Sequence, residues 1–446
     1  MKNKLVLTLL LLLSLVHAQE KKQTYSFSLQ QAIDHALQHN YSAINASRDI
    51  EAAKKKKWET TTMGLPQINA GLDYQNNFEL QKSLIPAQFF GGNPGEFMEV
   101  AFGTKHNMNA HATLSQLIFD GSYLVGLQSA RTYLKISENA KIKTNQELRE
   151  IVINAYGNVL LADESITILG KNKTILEKTL NDTREIYKNG LIEEENVEQL
   201  QITLASINSS LEYAKRMKTI ATNMVKLLLG IDINEELTLT DSLAVITQNN
   251  VDLALLKEEF NASSTIDYQI GQNLQESKRL LMLYEKSKAL PSIGAGINFG
   301  YNAFNDQFAF FTSNQKWLNY SNMGISLNVP IFSSFGRSAR TQQAKIAYEQ
   351  SKTALLETEQ NLKVKFEKAK SDYEYSLEQY ANAKSVLSLA ERIENKQQIK
   401  FREGLSSSFD FTEAQQQLYA KQQAYLQSMV EVINKKATLD KLLNKN

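Results

Sequence analysis

Leu65-Pro66-Gln67-Ile68-Asn69-Ala70-Gly71 returns 225 positions later as Leu290-Pro291-Ser292-Ile293-Gly294-Ala295-Gly296. This near-copy marks a duplicated plan. Two further pairs keep the same order. Ile118-Phe119-Asp120-Gly121 corresponds to Ile331-Phe332-Ser333-Ser334-Phe335-Gly336 at an offset of about 214 with a one-residue gap, and Tyr187-Lys188-Asn189-Gly190-Leu191 to Phe401-Arg402-Glu403-Gly404-Leu405 at 214. The eleven lost residues fall where a long irregular stretch, Glu79 to Lys105, meets a shorter counterpart, Phe304 to Asn319. The repeats are therefore expected at 19–230 and 231–446.

Each copy opens on alternation. After Pro66, Ile68, Ala70, Leu72 and Tyr74 alternate with Asn69, Gly71, Asp73 and Gln75. The pattern recurs as Met108, Ala110, Ala112, Leu114; as Ile293, Ala295, Ile297, Phe299, Tyr301; and as Met323, Ile325, Leu327, Val329, each with polar or glycine residues between. Period two with one apolar face predicts strands at about 67–78, 106–119, 292–303 and 320–331. Each has about the length that crosses a bilayer. A soluble sheet with one buried face would read the same way. In lipid, four strands cannot close a barrel, and an open edge would leave backbone groups unpaired, so the membrane reading requires several chains to share one barrel. Phe89, Phe90, Phe97, Phe304, Phe308, Phe310, Phe311 and Trp317 crowd the two inter-strand segments, as interfacial girdles and outward loops would.

The rest of each copy permits long helices. The five prolines are Pro66, Pro86, Pro94, Pro291 and Pro330, so none interrupts the stretch between Pro94 and Pro291 or the chain beyond Ile331. Leu362, Phe366, Ala369, Tyr373, Ser376, Tyr380, Ala383, Leu387 and Ala390 step by four and three, a coiled-coil seam. Phe411, Leu418, Tyr425, Val432 and Leu439 repeat every seven residues, with Ala414, Lys421, Ser428, Lys435 and Leu442 between them; the lysines make this seam only partly dry. Helices are expected at about 28–63, 122–189 and 196–229, then 252–289, 337–403 and 409–443. The 67 residues from Arg337 to Glu403 would extend about 100 Å as one helix. Gly190 and Gly404 are then hairpin tips.

Composition limits the partners. The chain has 446 residues, 49 Lys+Arg against 48 Asp+Glu, and no Cys. Disulfide scaffolds and Cys-ligated metal sites are excluded, and the charge balance does not advertise nucleic acid. Lys2 and Lys4, an apolar run from Leu5 to Val16, and the compact Val16 and Ala18 around His17 read as a secretory signal over 1–18. Without Lys2 and Lys4, 47 basic residues face 48 acidic ones, a net charge of minus one.

Taken in order, the duplicated Leu-Pro-x-Ile-x-Ala-Gly strand starts, the Pro330-Ile331-Phe332 strand end, and the Gly190-Leu191 and Gly404-Leu405 tips resemble the TolC-like outer membrane efflux proteins over nearly all of the mature chain. The resemblance implies an α+β membrane protein. Three chains would form one barrel of twelve strands in the outer membrane, continuing into a periplasmic barrel of twelve packed helices. It further implies a passive exit duct for efflux or type I secretion, joined to an inner-membrane pump by a periplasmic adaptor that grips Gly190, Leu191, Gly404, Leu405 and Ser406. By motif, the carboxylates of the family's periplasmic mouth fall on Asp410 and Glu413. Three copies would make two acidic rings that attract cations, with some members kept protonated by crowding. Asp410 could also cap the helix that begins near Phe411. The aromatic hydroxyl, arginine and aspartate of the family's closed gates correspond to Phe401, Ser406 and Asn196, so that salt-bridged lock is absent here. Glu193, Glu194 and Glu195 at the first tip could select an adaptor with a basic tip, or be solvated charge.

Other signals carry less. His35 and His39 are four apart on an expected helix, but no Glu follows His35 and no third ligand is evident, so neither a metal nor another cofactor is expected. Gly294-x-Gly296-x-x-x-Gly300 has the wrong spacing for a dinucleotide loop. Lys54 to Lys57 reads as a solvated helix face. No Ser/His/Asp elbow, P-loop or zinc spacing supports an enzyme. The competing function is a soluble periplasmic coiled-coil adaptor or scaffold, which would share the hairpin seams.

Overall fold

The structure, a computed structural model, describes residues 24–445. The expected export signal at 1–18 lies outside the described residues. In chain order the elements are β1 (Thr24–Phe27), α1 (Leu29–His39), α2 (Tyr41–Thr62), β2 (Gln67–Asn76), β3 (Lys82–Pro86), β4 (Phe97–Ala101), β5 (His106–Asp120), α3 (Gly121–Lys188), α4 (Glu194–Leu229), β6 (Glu236–Leu239), α5 (Leu243–Asn249), α6 (Ile266–Ser287), β7 (Ser292–Asn305), β8 (Trp317–Asn328), α7 (Gly336–Arg402) and α8 (Ser408–Leu442). The described residues fall into two units, one of residues 24–49, 137–271 and 355–445, the other of 50–136 and 272–354.

The first unit is helical. The α7 seam positions Leu362, Phe366, Ala369, Tyr373 and Ser376 are buried, as are Phe411, Ala414, Leu418, Val432 and Leu439 on α8. Lys421 is exposed, and Lys435 leaves the seam to pair with Asp372 at 3.2 Å. A second apolar core gathers Ala32, Ile33 and Ala36 of α1, Val152 and Tyr156 of α3, Val225 and Leu229 of α4, and Met429, Val430 and Ile433 of α8. The parallel pair of β1 and β6, which the alternation did not reveal, closes over it. Tyr156 ties this junction, its hydroxyl donating to the Phe27 carbonyl and an Asp241 carboxylate oxygen, both at 3.1 Å.

Two helices differ from the sequence reading. The helix expected at 28–63 breaks at Asn40, whose backbone is extended. Its amide donates to the Leu228 carbonyl at 2.9 Å and its oxygen accepts from Ser42 N–H at 2.8 Å, so the side chain starts α2 instead of continuing α1. The helix expected at 252–289 begins only at Ile266. Before it, Asp252 and Asn261 accept from the N–H groups two residues on and stop the chain in two short 3-10 turns.

The second unit centres on a four-stranded antiparallel sheet in the order β2-β5-β7-β8. Register puts Ile68, Leu114, Ile297 and Met323 in one cross-strand row and Leu72, Ala110, Tyr301 and Asn319 in another, all on one face. The last strand ends at Asn328, short of the expected 331, because Pro330 has no N–H to continue the ladder. The segment 79–105, read as irregular, contains a hairpin of β3 and β4. Among the described residues no helix is long and apolar enough to cross a membrane.

Candidate functional site

The sheet's two faces have opposite chemistry. On one, Ile68 is 76% exposed and Met323 69%, and Leu72, Ile325 and Leu327 are also exposed. Water would not leave so continuous an apolar face uncovered. On the other, the row Asn69, Thr113, Asn298, Asn322 forms a hydrogen-bonded ladder in which Thr113 donates to Asn298 at 2.7 Å and Asn298 to Asn322 at 3.0 Å. The outer edges of β2 and β8 have no strand partner in this sheet. Successive antiparallel pairings make β2 and β8 run in opposite senses, so β8 of one copy could pair with β2 of another.

The helical tips form the second candidate region. Gly190 and Gly404 both have φ of 72°, a left-handed conformation that costs side-chain-bearing residues. Each ends its helix with the same two bonds: Gly190 N–H to the Tyr187 carbonyl and Leu191 N–H to Ile186, then Gly404 N–H to Phe401 and Leu405 N–H to Lys400. Leu191 and Leu405 are thereby thrust outward, both exposed by about three quarters, 74% and 77%. Behind them lies a cleft of about 830 Å³ bordered by both tips, with Asp182, Glu193, Glu403 and Asp410 against the single cation Arg402. Such a surface suits a partner with apolar contacts and basic charge.

Asp410 does cap α8. It completes a capping box with Ser407, accepting from the Ser407 hydroxyl at 2.8 Å and its N–H at 3.2 Å, while Asp410 N–H donates back to the Ser407 oxygen at 3.1 Å. These bonds, led by the Ser407 hydroxyl, hold its carboxyl below the usual carboxylate range, with Ser406 and Lys400 adding smaller effects. Within one chain, Asp410 is thus biased toward the ionised form; the protonation expected from crowding concerns the rings that three copies would form. Glu413 is exposed on the next turn and accepts from Gln417 at 3.4 Å.

The three gate-equivalent positions meet around this cap without a salt bridge. Asn196 accepts from Ser408 N–H at 3.2 Å, linking α4 to the start of α8. Ser406 donates to Gln397 at 3.3 Å and Asp410 at 3.2 Å. Phe401 stacks on Phe411, ring centroids 5.4 Å apart and 6° from parallel, and Phe411 is fully buried among Leu176, Leu180, Val197, Leu200 and Ile207. Packing holds the tips together. Glu193 opens α4 without a side-chain cap bond, and Glu194 and Glu195 occupy that helix's first turn, where its dipole favours them.

One group near the tips escaped the sequence reading. Burial raises the carboxyl of Glu394 above its ordinary range, a Gln415 hydrogen bond offsetting part of this. The Gln415 carbonyl oxygen and the nearby Tyr419 hydroxyl are buried without a partner, and burial raises the Tyr419 phenol, with Glu394 adding to it. Extending the four-three spacing of the α7 seam one step past Ala390 would have reached Glu394. His35 and His39 stack at 4.1 Å, and among the described residues no cluster of three potential metal ligands occurs.

An antiparallel sheet with a largely exposed apolar face and two helices of 68 and 67 residues occur together in this chain. Residues 284–445 match the sequence model of the outer membrane efflux protein family. The outer membrane protein TolC of Vibrio cholerae is 23% identical over 245 residues, which cover 54% of this chain and 55% of that protein, so the chain spans about half the length of this curated relative. The fold is that of solved channels. A CusC structure superposes with a TM-score of 0.73 at 16% identity, covering 96% of this chain and 95% of that one. The CmeC outer membrane channel of Campylobacter jejuni gives 0.73 at 17% identity, covering 94% and 85%. The resemblance to the TolC-like outer membrane efflux proteins is borne out, by sequence pattern in the second half and by fold over nearly the whole chain.

Proposed function

We propose that the chain is the exit duct of an efflux or type I secretion system, exported by its N-terminal signal. Three copies pool their four-stranded sheets into one outer-membrane barrel of twelve strands, and the helices of the first unit wall a passive periplasmic conduit. The observation that carries this is the sheet itself. Its apolar face is largely exposed, covered only where Phe310 packs with Met108 and Ala303 at one end; its opposite face is polar and its two edges run in opposite senses, so head-to-tail closure in lipid would bury the apolar face and pair every strand at once.

The Gly190-Leu191 and Gly404-Leu405-Ser406 tips and the cleft behind them are the surface offered to a periplasmic adaptor, through which an inner-membrane pump delivers cargo. Asp410 and Glu413 are the selectivity carboxylates of the mouth, with Phe401, Ser406 and Asn196 at the gate positions. The hydrogen bonds that keep Asp410 ionised support a mouth that favours cations. Purified protein in a planar bilayer should form cation-selective pores, and replacing Asp410 and Glu413 with Ala should weaken that preference. Pores of unchanged ion preference would remove both residues from the mouth. A protein washed from membranes by carbonate would instead be a soluble adaptor.

A further inference from the structure

The polar face of the sheet holds little charge. Along β2, β5, β7 and β8 it presents Asn69, Asn109, Asn298, Asn302 and Asn322, several glycines, and away from the strand ends one acid, Asp73, and one imidazole, His111. These two lie together, His111 Nδ1 being 3.4 Å from an Asp73 carboxylate oxygen.

Register explains the placement. Gly71, His111, Gly300 and Tyr320 form one cross-strand row in which glycine alternates with a ring. A Cβ on Gly71 would come within 2.8 Å of the His111 ring, so the imidazole lies over the glycine and toward Asp73, two residues along the same strand. A Cβ on Gly300 would meet the Tyr320 ring at 2.7 Å; that ring lies over β7, with its hydroxyl 3.3 Å from Asn109. The groups facing His111 are therefore Asp73 from β2, Gly300 of β7 directly opposite, and beyond it the Tyr320 phenol of β8. No lysine or arginine stands on this face.

We propose that the Asp73–His111 pair sets the ion preference of the barrel lumen and makes it depend on pH. The inference rests on the proposed barrel, in which the polar face lines the pore. With a neutral imidazole each chain contributes one negative charge to this level, and three chains contribute three. Histidine is the side chain whose charge ordinarily changes between pH 5 and 8, and once protonated it cancels the carboxylate beside it. Protonation of the imidazole would turn a cation-preferring belt into a neutral one.

The test is the reversal potential of single channels of the full chain in a KCl gradient, at pH 8 and pH 5, for the wild type, His111→Gln and Asp73→Asn. In the wild type the cation-to-anion permeability ratio should fall by about twofold or more on acidification. His111→Gln should keep the high ratio at both values. Asp73→Asn should start lower and turn toward anions at pH 5, where an uncompensated imidazolium remains. His106→Gln, which alters a residue paired with Tyr74 on the other face, should behave as wild type. A ratio independent of pH in the wild type, or a response that survives in His111→Gln, overturns the proposal. Failure of every protein to form pores would overturn the barrel itself.

Discussion

Replacing Phe411 with Ala removes the ring that joins the two helical tips. Phe411 is completely buried, stacks on Phe401 with centroids 5.4 Å apart, and packs against side chains of both α3 and α4. Emptying such a site costs roughly 3–5 kcal/mol, of which about 0.5–1.5 reflects the ring pair itself. At about 1.4 kcal/mol per factor of ten, local opening should become more frequent by roughly two to three and a half orders of magnitude, up to the limit set by the tip's own opening free energy. Amide hydrogen exchange of the detergent-solubilised protein reads this directly. Peptides within 176–207 and 401–418 should lose protection while those of the β2-β5-β7-β8 sheet do not. Phe411→Leu keeps most of the buried volume and loses the stack, so its effect should be about 1 kcal/mol, a several-fold acceleration. Exchange in Phe411→Ala within about threefold of wild type, well below the cavity cost, would refute packing as what holds the tips. Wild-type exchange in Phe411→Leu would refute a contribution from the stack, and damage equal to that of Phe411→Ala would refute the cavity as the main cost.

Three further outcomes follow from single sites. Gly404→Ala forces a side chain into φ of 72°; it should destabilise the second tip by roughly 1–2 kcal/mol, seen as faster proteolysis between 401 and 408 with the sheet unaffected. Glu394→Gln should stabilise the hairpin of α7 and α8 at neutral pH. The Glu394 carboxyl is raised in the folded protein by burial, so its stabilising influence is full below the unfolded-state pKa and is lost as pH rises through the folded one; the advantage of Gln in thermal or denaturant unfolding should shrink as pH falls. Gly300→Ala would set a Cβ 2.7 Å from the Tyr320 ring and 2.8 Å from the Ala110 carbonyl oxygen. The ring can swing away but the backbone oxygen cannot, so the yield of assembled protein in outer membranes should fall, and Tyr320→Ala should not restore it.

Much of the architecture was legible because it rests on periodicity. Alternation at Ile68 to Tyr74 and its three counterparts reported the strands, since a strand with one apolar face leaves a period of two in any solvent. The four-three steps from Leu362 to Ala390 reported a helical seam for the same kind of reason, and Gly190 and Gly404 reported tips because left-handed residues end helices. Periodicity is silent where side chains bond to nearby backbone. Asn40, Asp252 and Asn261 each redirect the chain by local hydrogen bonds, and no apolar spacing announced the break at 40 or the delayed start at 266. The parallel pair of β1 and β6 joins residues more than two hundred positions apart through four-residue strands, too short to show a period. Of the candidate site, the positions of Asp410, Ser406 and Asn196 came from motif alone, and their hydrogen-bond partners required coordinates. Glu394 was missed because a half-buried carboxylate breaks the apolar pattern that would have located it.

The account stands on closure of the sheet by copies of itself. Native mass spectrometry of the particle released by detergent from carbonate-washed outer membranes should give three chains per particle, with no smaller species that keeps its sheet protected from hydrogen exchange. Recovery of a folded single chain in the aqueous wash, without detergent, would contradict the shared barrel and the conduit built upon it.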